Sequence, residues 1–288
     1  MIGALSLRLI CVSGEYDLKK ILMILLLIAA VAIFVFAGYK LYSIYSEYKT
    51  GSDEYIKISE HVRVEQPVTE EEVAELKEIP EEKLTTAQKL ARAGIPVMDI
   101  DFKSLREINP DFIGWIYYPG LEISYPIVQG EDDEFYLHHT FEGEYNSNGC
   151  IFAGAGFNKD FTSFNTFLYG HNMKNGSMFG SLKRLVREEG LFSQNRDFFV
   201  YTEEAYRKYR IYSYYITPPT SDTYQVAGNQ AGYEEYVLRV HSRSVEDCDT
   251  VVDTDKPSVT LSTCSGTGAA KQRLVVHGIL DEIIAVEE

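Results

Sequence analysis

The chain has 288 residues, enough for one or two domains, and its 45% apolar content, with 21 Tyr and 15 Phe, supplies a buried core that leans toward strands. Acidic residues outnumber basic ones 43 to 27 and the net charge is −16. That excludes a phosphate-backbone binder, which needs a basic face, so no nucleic-acid partner is expected.

The first informative segment is "LKKILMILLLIAAVAIFVFAGYK", uncharged from Ile21 to Tyr39. At about 1.5 Å per residue this run nearly crosses a ~30 Å hydrocarbon core, so residues 18–40 read as a single-pass membrane anchor. Lys19 and Lys20 precede it and favour a cytoplasmic N-terminus, although Lys40 and Lys49 lie beyond it. A cleaved signal peptide ending at Val35–Ala37 is the alternative; in both cases the remainder of the chain is exported. Residues 1–17 are an unusual start for such an anchor. They read as a doubtful extension or a short cytoplasmic tail, with translation expected to begin at Leu18.

Residues 41–98 read as an acidic stalk. Its first part has aromatic and aliphatic residues at helical spacing and extends the preceding helix. The rest is dense in Glu, is interrupted by Pro67 and Pro80, and forms short helical pieces.

The compact domain is expected over residues 99–288. A short helix from Phe102 to Ile108 stops at Asn109–Pro110. "IGWIYYP" and "LEISYPIVQ" are strands joined by a Pro119–Gly120 turn. "DDEFYLHHTF" is a short helix or turn, with one of its two histidines facing the core. "GCIFAGAGF" and "NTFLYGHNM" are strands, and "SMFGSLKRLVREEGLFSQN" is a helix. "DFFVYTEEAYRKYRIYSYYIT" is a hairpin. "AGYEEYVLRVHSRS" is a helix with Tyr233, Tyr236, Val237 and Val240 on one side. "SVTLSTC" and "RLVVHGIL" are the last strands. Seven or eight short strands with local helices make a mainly β fold, a mixed barrel or sandwich.

No phosphate-loop, zincin or hydrolase-elbow motif is present, and no metal or cofactor is expected. Cys11, Cys150, Cys248 and Cys264 show neither CxxC nor zinc-ligand spacing. In "SVTLSTC", Ser258, Thr260, Ser262 and Cys264 share the more polar face. That is not where a buried structural thiol usually sits, so Cys264, beside glycine-bearing sequence, is a candidate nucleophile; on spacing alone a packed or bystander cysteine stays open as the alternative. Its histidine partner stays open on spacing alone. His171 comes directly after Gly170, which would let the chain turn sharply into a cleft. His277 shares strand parity with Arg273.

The set "TLSTC", "YGHNM…GSMFGSL" and "RLVVHG" closely resembles the sortases, cysteine transpeptidases of Gram-positive cell surfaces, and class B in particular. The likeness runs through "INPDFIGWIYYPGLEISYPIVQG", "DDEFYLHH" and "GEYNSNGCIF" to the C-terminus. It implies a closed mixed β-barrel with N-terminal helices and a helix in the long loop before the cysteine strand. It also implies Cys264 as nucleophile, His171 as acid/base and Arg273 as the third catalytic residue, for the oxyanion or for substrate positioning. Leu137 and Ser262 match pocket-lining positions. The implied partners are surface proteins bearing a C-terminal Pro-x-Thr sorting signal, cut after Thr, and a peptidoglycan-precursor amine as acceptor. "SGTGAAKQ", between Cys264 and Arg273, and "AGAGFNKD" depart from the family pattern where they border the cleft. A secreted cysteine peptidase and a non-catalytic surface adhesin are the competing readings.

Overall fold

The computed structural model describes the backbone of residues 2–66, 68–264 and 272–286, and their side chains from Leu18 onward except that of Cys264. The chain divides into two units, residues 1–50 and 51–288. One helix, α1, spans Ile2–Ser59. From Leu18 it is long and apolar enough to cross a membrane. Its aliphatic and aromatic side chains, among them Leu22, Ile24, Leu27, Ile33 and Phe36, are exposed. A helix that is apolar all round and unpacked has the surface that lipid would cover.

In the second unit, β1 (Val62–Val64) pairs antiparallel with β2 (Met98–Ile100). Between them lie α2 (Glu70–Lys77) and α3 (Thr86–Ala93). Each opens with a capping box, Thr69 with Glu72 and Thr85 with Gln88, which satisfies two otherwise orphaned backbone donors. Residues of this Glu-rich segment reach the interior. Ile58, Leu90, Ile95 and Met98 share a core cluster with Trp115, Phe141 and Phe199. Next comes α4 (Phe102–Ile108), capped by the Asp101 carboxylate and ended before Pro110.

Eight strands then close a barrel: β3 (Phe112–Tyr118), β4 (Ile123–Val128), β5 (Ile151–Ala153), β6 (Asn165–His171), β7 (Asp197–Tyr201), β8 (Ala205–Thr217), β9 (Ser258–Cys264) and β10 (Arg273–Ala285). Around the barrel the order is β10-β8-β7-β3-β4-β5-β6-β9. The β4–β5 and β6–β9 pairs are parallel and the others antiparallel. β9 is thus inserted between β6 and β10, and from Ser258 to Thr263 both its faces are buried.

The segment after His171 differs from expectation. Instead of one helix it holds a 3-10 turn (Gly180–Lys183) and two single-turn helices, α5 (Arg184–Arg187) and α6 (Leu191–Gln194). Gly190, at φ 76°, breaks the run, and each piece sets its own anchor, Leu182, Leu185 or Phe192, into the interior. The long connection from β8 to β9 carries the expected helix, α7 (Gln230–His241). Its buried residues are Tyr233, Tyr236, Val237 and Val240, the stripe read from the sequence. The stripe packs on Phe167, Tyr212, Tyr215 and Val275 of the barrel.

Candidate active site

The parallel pairing of β6 with β9 brings the two chemistry-bearing strand ends together. Its register runs Asn165↔Ser258 to His171↔Cys264, so the last residues of the two strands are Cα partners. Neighbouring strands lie about 4.8 Å apart, which makes this an adjacency fixed by backbone hydrogen bonds. Gly170 sits within β6 rather than at a sharp turn. A methyl there would lie 2.4 Å from Ile151 Cδ1 and 2.8 Å from Phe179 Cδ2, so glycine serves close packing beneath His171.

His171 is partly buried, and its Nε2 lies 2.6 Å from the carbonyl oxygen of Leu137. A carbonyl only accepts, so Nε2 carries the proton and, in the neutral ring, Nδ1 is the nitrogen able to accept one. Burial holds the imidazole below the ordinary histidine value. The Leu137 carbonyl opposes that shift, while the nearby His138 and Arg273 add to it.

The floor under this ring is Gly149, at φ 58°. A methyl on Gly149 would lie 2.6 Å from Tyr136 O, 2.9 Å from Leu137 O and 3.0 Å from His171 Cδ2. Glycine is therefore required there twice over, for its backbone conformation and for space.

Arg273 opens β10. Its Nη1 donates to the carbonyl of Thr263 at 3.1 Å, and the amide of Leu274 donates to Thr263 Oγ1 at 2.9 Å. The guanidinium is thereby tied to the residue just before Cys264. It also lines a cleft of about 280 Å³ together with Asp133, Leu137, Phe152, Tyr169, Pro219 and Tyr224. Leu137 thus contributes both a cleft wall and the carbonyl that orients His171. Ser262 does not line this cleft. It is buried, and its hydroxyl lies 2.9 Å from that of Tyr224, which does. Residues 265–271 and the Cys264 thiol lie outside the described residues.

The rival histidine is spoken for elsewhere. His277 is fully buried, ringed by Tyr212, Tyr215 and Tyr236. Its Nδ1 lies 2.7 Å from Thr260 Oγ1, whose own proton goes to Asn165 Oδ1 at 2.9 Å. His277 Nδ1 therefore donates, and burial pushes its pKa down to about 3, so it stays neutral. Of the adjacent pair, neither faces the core: His138 is exposed, 6.4 Å ring to ring from His171, and His139 is half-buried, stacked on Phe135. Cys150 and Cys248 are free and buried, and burial pushes the Cys150 thiol up to about 12. No cluster of metal-ligating side chains occurs among the described residues.

The sequence did not single out Gly149, Asp133, Tyr169 or Tyr224. The signal for Gly149 was present in "NSNGC", a turn-forming Asn-Gly pair. The cleft aromatics had no local signal among 21 tyrosines.

A sequence model of the sortase domain matches residues 116–281. The chain is 32% identical over 184 residues to Sortase B of Listeria monocytogenes, covering 62% of this chain and 74% of that protein. Among solved structures it is similar to Clostridium perfringens sortase B, at TM-score 0.58 and 32% identity over 62% of this chain and 99% of that one. It is also similar to sortase B from B. anthracis in complex with AAEK1, at TM-score 0.63 and 29% identity over 82% and 99% of the two chains.

Proposed function

From the premise that this chain belongs to the sortase family and to its class B, a family of cysteine transpeptidases, we propose that Cys264, His171 and Arg273 are its catalytic residues. In this reading the substrate is a C-terminal Pro-x-Thr sorting signal cut after Thr, and the acceptor is a peptidoglycan-precursor amine. The observation that supports it best is the register pairing of His171 with Cys264, with Arg273 bonded to the adjoining Thr263 carbonyl.

The chemistry can be built from these groups. The Cys264 sulfur attacks the threonine carbonyl, and a tetrahedral oxyanion forms. The scissile C–N bond breaks as His171 delivers a proton to the leaving amine, which leaves a thioester on Cys264. The acceptor amine then attacks the thioester, His171 takes its surplus proton, and the thiol departs as a new amide forms. Ordinary thiol and imidazole values near 8.5 and 6.5 leave under ~1% of independent pairs as thiolate and imidazolium at pH 7. The lowered His171 value reduces that share further. Neutral His171, through Nδ1, therefore takes the thiol proton during attack and returns it to the leaving amine. Arg273 spends one donor on Thr263 and keeps the rest of its fork for the oxyanion or the peptide carbonyls at the cleft. Leu137 meets the peptide directly, and Ser262 acts behind Tyr224.

We further read residues 18–40 as the membrane anchor, residues 1–17 as a short cytoplasmic tail or extension, and the domain over residues 99–288 as held outside the cell. The test is acyl-enzyme trapping. Wild type with a Pro-x-Thr peptide should give a thioester adduct by intact mass, and added amine should convert it to amide. Cys264→Ala should give neither. An adduct on Cys264→Ala would place the nucleophile elsewhere, and product that is only acid in the presence of amine would make the protein a peptidase.

A further inference from the structure

The end of α1, from Gly51 onward, grips the loop that carries the His171 floor. Tyr55 Oη donates to the carbonyl of Gly149 at 2.6 Å, a contact spanning 94 positions of sequence. One residue earlier, the buried Glu54 carboxylate accepts the amide of Glu142 at 2.9 Å. Gly51 abuts Asn148 so closely that a methyl there would lie 2.2 Å from Asn148 Nδ2. These three residues hold one side of the loop between the 3-10 turn Phe135–Leu137 and β5.

On its other side that loop holds His171. The amide of Cys150 donates to Tyr136 O at 2.9 Å, which ties the loop end to the residue before Leu137. Gly149 abuts both the Leu137 carbonyl and the His171 ring that bonds to it. Any shift of Gly149 therefore moves the ring's floor together with the carbonyl that fixes its tautomer.

We propose that Tyr55 is a positioning residue for His171, acting through Gly149, so that the end of the N-terminal helix is part of the catalytic apparatus. This rests on His171 being the catalytic acid/base. The hydroxyl alone carries the effect. The Tyr55 ring is seated separately, edge-on to Tyr125 with centroids 5.5 Å apart. Its hydroxyl is buried beside the Cys150 thiol, and burial raises its pKa well above the ordinary tyrosine value, so it stays a proton donor.

The test uses Tyr55→Phe in the full-length protein, with His171→Ala as reference. Removing the hydroxyl keeps the ring and frees the loop. Transfer should lose about tenfold in kcat, as expected for a misplaced acid/base, while KM for the sorting peptide stays within about twofold. The unfolding midpoint should stay within about 4 °C of wild type. The His171 imidazole, tracked by proton NMR against pH, should titrate higher, because burial is the first cause of its lowered value and the opened loop admits water. The charges facing it, His138 and Arg273, are unchanged in this variant. Wild-type kcat with an unmoved His171 titration would overturn the inference while an inactive His171→Ala left the catalytic assignment standing. A loss of rate that only tracks a loss of stability would overturn it as well. A fully active His171→Ala would overturn both.

Discussion

The two histidines on the strands flanking β9 have opposite fates. Around His277 the barrel interior is closed. Ser258 and Thr260 both donate to Asn165 Oδ1, His277 joins them through Nδ1 at Thr260, and aromatic rings shut out water. Around His171, β6 and β9 end together. One ring nitrogen is fixed by a backbone carbonyl, the other is the one the proposed chemistry uses, and Arg273 opens onto a cleft. Burial lowers both imidazoles, so a lowered pKa does not tell catalytic from structural. What separates them is whether a nitrogen remains uncommitted at a site that substrate can enter.

The sharpest way to break this contrast is at the mouth. Arg273→Lys keeps a positive charge but loses the planar fork. If that fork serves the oxyanion, single-turnover acylation by a Pro-x-Thr peptide should fall about 10²–10³-fold. Near wild-type acylation would mean that charge alone matters. Unfolding at a much lower temperature would make Arg273 structural through its bond to Thr263.

A smaller effect is expected at the floor. Gly149→Ala forces a side chain into a backbone at φ 58° and against two carbonyls and the His171 ring. It should cost about 1–3 kcal/mol of stability in urea unfolding. It should also lower transfer more than Cys264 alkylation, because the ring moves and the thiol's strand does not. Equal losses in both assays would show a global defect.

The smallest effect on activity, and the clearest on stability, belongs to the closed interior. His277 keeps a folded value of about 3, below the 6.5 of an unfolded histidine. Between these values the unfolded chain binds a proton that the folded one does not. Its contribution is therefore full above 6.5 and is lost as pH falls from 6.5 toward 3. The slope is about 1.4 kcal/mol per pH unit for one proton. His277→Gln should keep transfer activity at neutral pH and flatten the stability profile by about one proton over that window. A variant that abolished transfer while remaining folded would return His277 to the candidate catalytic set.

Most of the barrel was legible in the chain because its strands are Tyr-, Val- and Ile-rich runs bounded by turn residues. α7 was legible because Tyr233, Tyr236, Val237 and Val240 repeat at helical spacing. The segment after His171 was not, since three short pieces with one anchor each mimic a single periodic helix until Gly190 is given its backbone angle. The reach of Ile58, Leu90, Ile95 and Met98 into the core was masked by the glutamates around them. At the site, Cys264 stood out by its strand-end place and residue type. The choice between His171 and His277 could not be made from parity. It depended on which strand pairs with β9 on either side and on what closes over each ring, and both are tertiary facts. Tyr55 was invisible for the same reason, one tyrosine of 21 whose partner is a backbone carbonyl far along the chain.

The parallel pairing of β6 with β9 has a consequence for how the site comes into being. His171 and Cys264 become neighbours although β7, β8 and α7 lie between them in sequence, and parallel strands cannot be joined by a tight turn. No local hairpin or helix can assemble the pair in advance; it exists only once β9 has entered between β6 and β10 and the barrel is shut. Such non-local closure carries a large loop entropy and sets a slow, high-contact-order step. On the proposed roles, the nucleophile and its proton carrier are therefore kept apart until β9 is in place, and catalytic competence arrives together with the completed fold.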